Sequence, residues 1–139
     1  MDEARPTILV VEDEPIIRMD LADHIANHGY DVVEAGSGDK ALEILQAGKP
    51  VDLLITDVQM PGTKDGIDLA LWVRHNLPSV KIMIVSGAMT GSPSLDKLGS
   101  EGLIIPKPYS MNALLDRIKC LLAYRTTLPG LSVNPNIDR

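Results

Sequence analysis

The chain has 139 residues, of which 45% are apolar and 23% are charged, an ordinary composition for one globular domain. Its formal net charge of −6 disfavours direct binding to nucleic acid, which depends on clustered lysine and arginine. No apolar run approaches the roughly 18 residues of a membrane-spanning helix, and the polar start lacks the apolar segment of a signal peptide, so we expect a cytoplasmic protein without a membrane segment.

Strand-sized apolar runs alternate with segments of helical period along the chain. The runs lie at residues 7–11, 51–56, 81–86 and 102–106, with a weaker one at 30–34. This alternation is typical of βαβ units. It predicts five parallel strands with helices on both faces of the sheet.

The helical segments are recognised by apolar residues that recur every three or four positions. These residues are Ile17, Leu21 and Ile25; Leu69, Val73 and Leu77; and Leu114, Leu115, Ile118, Leu121 and Leu122. Gly29 is predicted to end the first helix and Ser110 to cap the last one. A further helix should extend from about Gly38 to Ala47.

Turn-forming residues dominate two stretches of the chain. Residues 87–94 leave only about Leu95 to Leu98 for the fourth of five expected helices, which is therefore predicted to be short or disordered. After about Arg125 the sequence has no period. We therefore predict one domain over residues 6–124 and a tail or linker stub over residues 125–139.

The cysteine and the histidines offer little chemistry. Cys120 is the single cysteine and falls in the last helical pattern, where we expect a small buried hydrophobe rather than a redox group. His24 and His28 could share a helical face, but no further ligand type stands beside them to complete a zinc site. We expect both to be surface residues.

Reactive side chains follow four of the predicted strands. Glu12-Asp13 comes directly after the run at 7–11, and Asp57 comes directly after the run at 51–56. Ser86 is the last residue of the run at 81–86, and Lys107 follows the run at 102–106. The carboxyl ends of parallel strands share one edge of a sheet, so these groups should converge there. Three carboxylates with a hydroxyl and an ammonium indicate a divalent-cation site beside a phosphoryl-accepting carboxylate.

Each of these residues taken alone has an ordinary structural explanation. The acidic pair could cap a helix, because carboxylates suit a first helical turn. Ser86 could be a loop hydroxyl, Lys107 a solvated charge, and Asp57 the end of a strand before a turn. Their joint occurrence in order, each at a strand end, favours the site.

Over about residues 6–124 the chain resembles the receiver domain of two-component response regulators. The matching motifs are Glu12-Asp13, Asp57, Met60-Pro61, Asp65-Gly66, Ser86 and Lys107-Pro108-Tyr109. The resemblance implies an α/β flavodoxin-like fold, a doubly wound five-stranded parallel sheet of order 2-1-3-4-5 with helices on both faces.

The resemblance also implies the chemistry of the site. Asp57 would accept a phosphoryl group from a histidine kinase or a histidine phosphotransfer protein, in a reaction that needs Mg²⁺. Asp13 and Asp57 would coordinate the ion directly, the backbone carbonyl of Gln59 would be a third ligand, and Glu12 would act through water.

Two further residues have implied roles after transfer. Lys107 would pair first with Asp57 and then with a phosphoryl oxygen, and Ser86 would donate a hydrogen bond to another phosphoryl oxygen. The movement of Ser86 would trigger the conformational change. By the same resemblance, the Lys107-Pro108 peptide bond is expected to be cis.

The chain departs from the family pattern in two places. Ile104 occupies the position where many receivers have an aromatic residue, so a ring cannot rotate inward there. We hypothesise that ordering of the short fourth helix carries the signal instead. Residues 62–64 contain one residue more than the corresponding loop usually has.

Other functions fit less well. A haloacid-dehalogenase-like phosphatase needs a second aspartate where this chain has Gln59. An unphosphorylated interaction module would have lost acceptor or metal residues, all of which are present. A stand-alone regulator, a phosphorelay intermediate and a piece of a larger regulator remain open, as do the downstream target and a homodimer.

Overall fold

The computed structural model describes residues 5–58, 65–86 and 102–124. The strands are β1 (Thr7–Val11), β2 (Asp31–Ala35), β3 (Leu53–Asp57), β4 (Lys81–Ser86) and β5 (Gly102–Pro106). The helices of the described part are α1 (Pro15–Asn27), α2 (Gly38–Gln46), α3 (Gly66–Asn76) and α4 (Met111–Tyr124). The expected helix between β4 and β5, the tail and Gln59 lie outside the described residues.

The strands form one parallel sheet in the order β2-β1-β3-β4-β5, which confirms the predicted doubly wound fold. β3 begins two residues later than its apolar run, although the backbone of Asp52 already bonds to Thr7 of β1 and Lys81 of β4. The register aligns the carboxyl ends: Val11 pairs with Thr56, and Ser86 pairs with Pro106. Residues that follow these positions therefore meet at one edge.

Two hydrophobic clusters cover the two faces of the sheet, because successive side chains of a strand point to opposite sides. One cluster joins Leu9 and Leu54 to the buried sides of α2 and α3. The other joins Ile8 and Ile55 to the buried sides of α1 and α4. The sheet is thus buried on both faces, as its continuous apolar strands predicted.

Local signals at the helix ends act as expected. The Ser110 Oγ accepts a hydrogen bond from the Ala113 amide at 3.0 Å, which confirms Ser110 as the cap of α4. Gly29 follows α1 with a φ of 97°, a conformation that glycine adopts without a steric penalty. α2 begins at Gly38 as predicted and ends one residue early, at Gln46.

One prediction of burial was wrong, that of Cys120. Ile17, which shares the apolar spacing of Leu21 and Ile25 in α1, is 44% exposed. Cys120 is exposed, since it lies two positions from the buried Ile118 and therefore on another side of α4. His24 and His28 are exposed, as predicted. Among the described helices, none has the length and apolarity required to cross a membrane.

Candidate functional site

Three carboxylates meet where the strand order reverses. β1 lies between β2 and β3, so the chain leaves β1 and β3 toward opposite faces and opens a crevice at their carboxyl ends. Glu12 and Asp13 follow β1 there, and Asp57 ends β3. One oxygen from each carboxylate lies within 4.8 Å of the other two. The structure therefore brings together the three acidic residues that the sequence indicated.

The donor set of this cluster fits a hard divalent cation. Mg²⁺ prefers oxygen ligands and is usually held by one or two carboxylates with water completing its shell. Glu12 is buried, while Asp13 and Asp57 are half-buried and remain accessible to an ion. Three neighbouring carboxylates also repel one another, and a cation between them would offset that repulsion.

Lys107 supplies a positive charge at the same edge. Its Nζ donates a hydrogen bond to the Asp57 Oδ2 at 2.7 Å, with side-chain exposures of 35% for the lysine and 12% for the aspartate. Burial lowers the pKa of Lys107, but the hydrogen bond and the negative charges of Asp57 and Glu12 outweigh it, so the net change raises the pKa. Lys107 is therefore charged at neutral pH.

Glu12 is the most buried of the three acids, with 6% exposure. Burial raises its pKa above the usual value, and the nearby negative charge of Asp57 raises it further, while a hydrogen bond from the Glu14 amide opposes both effects. That amide lies 3.1 Å from the Glu12 Oε2 at the entry to α1. This bond does not cap α1, which begins at Pro15 and has neither a side-chain cap nor an acidic residue in its first turn, so the helix-capping explanation is wrong for the acidic pair.

The backbone around Asp57 is held closely in place. The Thr56 Oγ1 donates to the Asp57 carbonyl oxygen at 2.9 Å, and the Gly66 amide donates to the Val58 carbonyl at 2.9 Å. A Cβ at position 66 would overlap the Asp57 carbonyl oxygen. The Asp65-Gly66 motif therefore has a steric reason, close approach of α3 to the end of β3, that its spacing in the sequence did not reveal.

Ser86 and the segment after β5 complete the edge. Ser86 is 2% exposed and follows Val85, the residue that pairs with Asp57. Its carbonyl accepts a hydrogen bond from the Lys107 amide at 2.9 Å, which joins the ends of β4 and β5. The Lys107-Pro108 peptide bond is cis, as expected.

Sequence reasoning missed Arg18. This residue of α1 donates from Nη1 to the Glu12 carbonyl oxygen at 2.9 Å and from Nε to the Glu34 Oε1 at 3.2 Å. An arginine five residues after Asp13 carries no diagnostic spacing, and only the packing of α1 beside β2 brings it to the acidic loop.

A parallel sheet of order 2-1-3-4-5, with an acidic cluster at the reversal point and a lysine bonded to one of its carboxylates, defines the class of CheY-like receiver domains. The family model for the response regulator receiver domain matches residues 8–119. The chain belongs to this family, which is a signalling family rather than one of classical enzymes.

Curated relatives contain the same domain within longer proteins. The chain is 37% identical to the sensor kinase CckA of Brucella abortus over 84% of its own length, and spans 12% of that protein. It is 36% identical to the transcriptional regulatory protein PdtaR of Mycobacterium tuberculosis over 81% of its length, and spans 54% of it.

A solved structure shows the same fold. The response regulator protein TrrA of Thermotoga maritima, solved in complex with Mg²⁺ and BeF, is 29% identical and has a TM-score of 0.73. The comparison covers 84% of this chain and 98% of TrrA.

Proposed function

We propose that Asp57 accepts a phosphoryl group from a phosphohistidine in a Mg²⁺-dependent reaction. The observation that carries this proposal is the 2.7 Å contact between Lys107 Nζ and Asp57 Oδ2 inside an acidic cluster. A lysine on the reacting carboxylate and oxygen donors for a cation beside it are the groups that phosphoryl transfer needs.

The proposed transfer makes Asp57 the nucleophile. An oxygen of Asp57 attacks phosphorus, the phosphorus–nitrogen bond breaks, and the imidazole nitrogen of the donor keeps the electron pair, which leaves an acyl phosphate on Asp57. Asp13 and Asp57 would hold Mg²⁺ directly and Glu12 through water, with the Gln59 carbonyl as a further expected ligand. The bound ion would neutralise charge on the phosphoryl oxygens.

Lys107 and Ser86 would stabilise the product. The Lys107 ammonium can move from the carboxylate to a phosphoryl oxygen without leaving the site, because both acceptors belong to the modified Asp57 side chain. Ser86, which is buried, would donate to another phosphoryl oxygen and would change the end of β4 as it does so. Hydrolysis of the acyl phosphate would return the domain to its resting state.

A histidine kinase or phosphotransfer protein must approach Asp57 from the open edge of the sheet. The first turns of α1 begin at this edge and carry exposed large apolar side chains: Ile16 (81% exposed), Ile17 (44%) and Met19 (56%). We define these three residues as the α1 patch and propose that it contacts the phosphoryl donor. Apolar groups at this exposure contribute to association when a partner covers them.

The further path of the signal depends on the protein that contains the domain. The chain spans about half of PdtaR and a smaller part of CckA. We propose that it passes the signal in the cytoplasm by conformational change to a protein target or by phosphorelay.

The test of the acceptor is intact-mass spectrometry after incubation with acetyl phosphate, with and without Mg²⁺. We expect a single phosphoryl adduct on the wild-type chain that requires Mg²⁺ and is absent from Asp57→Asn. The matched control is Asp52→Asn, at the opposite end of β3, where an amide oxygen can still accept the bond from the Thr7 amide. An adduct that survives in Asp57→Asn, or a wild-type chain that neither forms one nor binds beryllofluoride, contradicts the proposal.

A further inference from the structure

Arg18 links the acidic loop to a neighbouring strand. The Nη1 atom donates to the carbonyl oxygen of Glu12 at 2.9 Å, and Nε donates to the carboxylate of Glu34, in β2, at 3.2 Å. The Arg18 side chain is only 21% exposed. One guanidinium thus joins α1, the loop after β1 and the end of β2.

Two neighbouring features fit this link. The Glu12 amide donates to the Ala35 carbonyl at 3.1 Å, so the loop is also tied to β2 through its backbone. Gly36 leaves room for the guanidinium, because a Cβ at this position would lie 3.1 Å from the Arg18 Nη1. A planar guanidinium can serve two acceptors in fixed directions, whereas the compact ammonium of a lysine cannot do so equally well.

We propose that Arg18 is a positioning residue, which holds the loop carrying Glu12 and Asp13 against β2 and thereby keeps both carboxylates directed at Asp57. This role rests on the proposed function of the acidic cluster. Arg18 acts through the backbone of Glu12. Groups that orient metal ligands in this way commonly change metal affinity by about 10- to 100-fold.

A positioning role predicts a particular kinetic signature. Without the hydrogen bonds of Arg18, the carboxylates of the loop sample other directions. Part of the binding free energy of Mg²⁺ is then spent on ordering them. The Mg²⁺ concentration for half-maximal phosphorylation should therefore rise more than the rate at saturating Mg²⁺ falls. A purely structural role would lower the stability of the fold without separating these two quantities.

The chain offers a matched control in Arg5. Its Nε donates to the Gly29 carbonyl at 3.1 Å and lies 3.8 Å from the Asp31 carboxylate. Arg5 therefore also joins the region of α1 to β2, but at the amino end of the strand, away from the acidic cluster. Arg5→Met removes a comparable link without touching the loop that carries Glu12.

The experiment compares Arg18→Met, Arg18→Lys, Gly36→Ala and Arg5→Met with the wild-type chain. Calorimetry measures Mg²⁺ binding directly, intact mass follows phosphorylation by acetyl phosphate across Mg²⁺ concentrations, and urea unfolding reports stability. We expect Arg18→Met to weaken Mg²⁺ binding roughly tenfold. Arg18→Lys and Gly36→Ala should weaken it less, and Arg5→Met should leave it unchanged.

An unchanged Mg²⁺ affinity in Arg18→Met, or an equal loss in Arg5→Met, would overturn the positioning role. If Arg18→Met fails to fold, Arg18→Lys and Gly36→Ala decide, and wild-type affinity in both rejects the proposal. A wild-type chain that binds Mg²⁺ and is phosphorylated, with no change in the Arg18 variants, rejects only this inference. A wild-type chain that neither binds Mg²⁺ nor takes up a phosphoryl group rejects the proposed function as well.

Discussion

Removal of the Lys107 charge should destabilise the fold when no divalent cation is present. In Lys107→Met the apolar stem is kept, while Asp57 loses the donor that now lies 2.7 Å from its Oδ2. The three clustered carboxylates are then left without the positive charge of the lysine ammonium. Mutual repulsion and a lost hydrogen bond act in the same direction, toward a smaller free energy of unfolding.

The size of the effect follows from the exposure of the two partners. A hydrogen bond to a charged group contributes about 1.5–3 kcal/mol when shielded, and an exposed ion pair about 0.2–1 kcal/mol. The lysine side chain is 35% exposed and the aspartate 12%, so solvent screens the pair in part. We expect a loss of about 1–2 kcal/mol in the free energy of unfolding.

The sign of the pH dependence is also defined. The folded-state pKa of Lys107 is raised above its usual value of 10.5, so its stabilisation is fully present below that pH and is lost as the pH rises through the folded pKa. The whole effect should therefore be measurable at neutral pH. Millimolar Mg²⁺ should reduce it, because the variant gains more from a cation among its carboxylates than the wild type does.

Urea unfolding followed by circular dichroism, with chelator or with Mg²⁺, measures the difference in the free energy of unfolding between Lys107→Met and the wild type. The control is Lys40→Met, which removes an ion pair of 3.8 Å to Glu43 whose side chains are 62% and 72% exposed. That variant should stay within about 0.5 kcal/mol of the wild type. Equal losses of unfolding free energy in the two variants would refute the reasoning. So would a loss in Lys107→Met that is the same with and without Mg²⁺.

Three other predictions concern the same edge of the sheet. Burial raises the pKa of Glu12 above its usual value of 4.5, so ionised Glu12 destabilises the fold. Glu12→Gln should therefore raise the free energy of unfolding at neutral pH without Mg²⁺. That gain should disappear below pH 4.5, where Glu12 is protonated in both states, and a gain that persists there contradicts the burial argument. Gly66→Ala should lower the free energy of unfolding by about 3 kcal/mol and reduce phosphorylation by acetyl phosphate, because its Cβ would displace the Asp57 carbonyl. Wild-type values in both assays would disprove the close approach of α3 to β3. Ile16→Ser should slow phosphotransfer roughly fivefold from any phosphohistidine donor that phosphorylates the wild type. This factor corresponds to a loss of about 1 kcal/mol in the binding free energy of the donor. Its rate with acetyl phosphate should stay unchanged, and equal slowing with both donors would remove the α1 patch from the docking surface.

Local patterns in the sequence were sufficient for the elements and for much of the site. Runs of apolar residues separated by glycine and proline define strands at nearly the observed positions, since a strand buried on both faces needs apolar side chains throughout. The placement of Asp57, Ser86 and Lys107 at strand ends then follows from topology, because all parallel strands present the same end at one edge. The cap at Ser110 depends on a contact three residues away and was equally predictable.

Features that depend on distances between remote parts of the chain were decided only by the tertiary structure. Ile17 has the apolar spacing of Leu21 and Ile25 and Cys120 stands among the apolar residues of α4, yet both are exposed, because spacing alone does not tell which parts of a helix the rest of the fold covers. The need for glycine at position 66 arises from the approach of α3 to β3, and the link made by Arg18 arises from the packing of α1 beside β2. The sequence alone determined which chemical groups reach the edge of the sheet, whereas their separations, burial and supporting contacts required the folded chain.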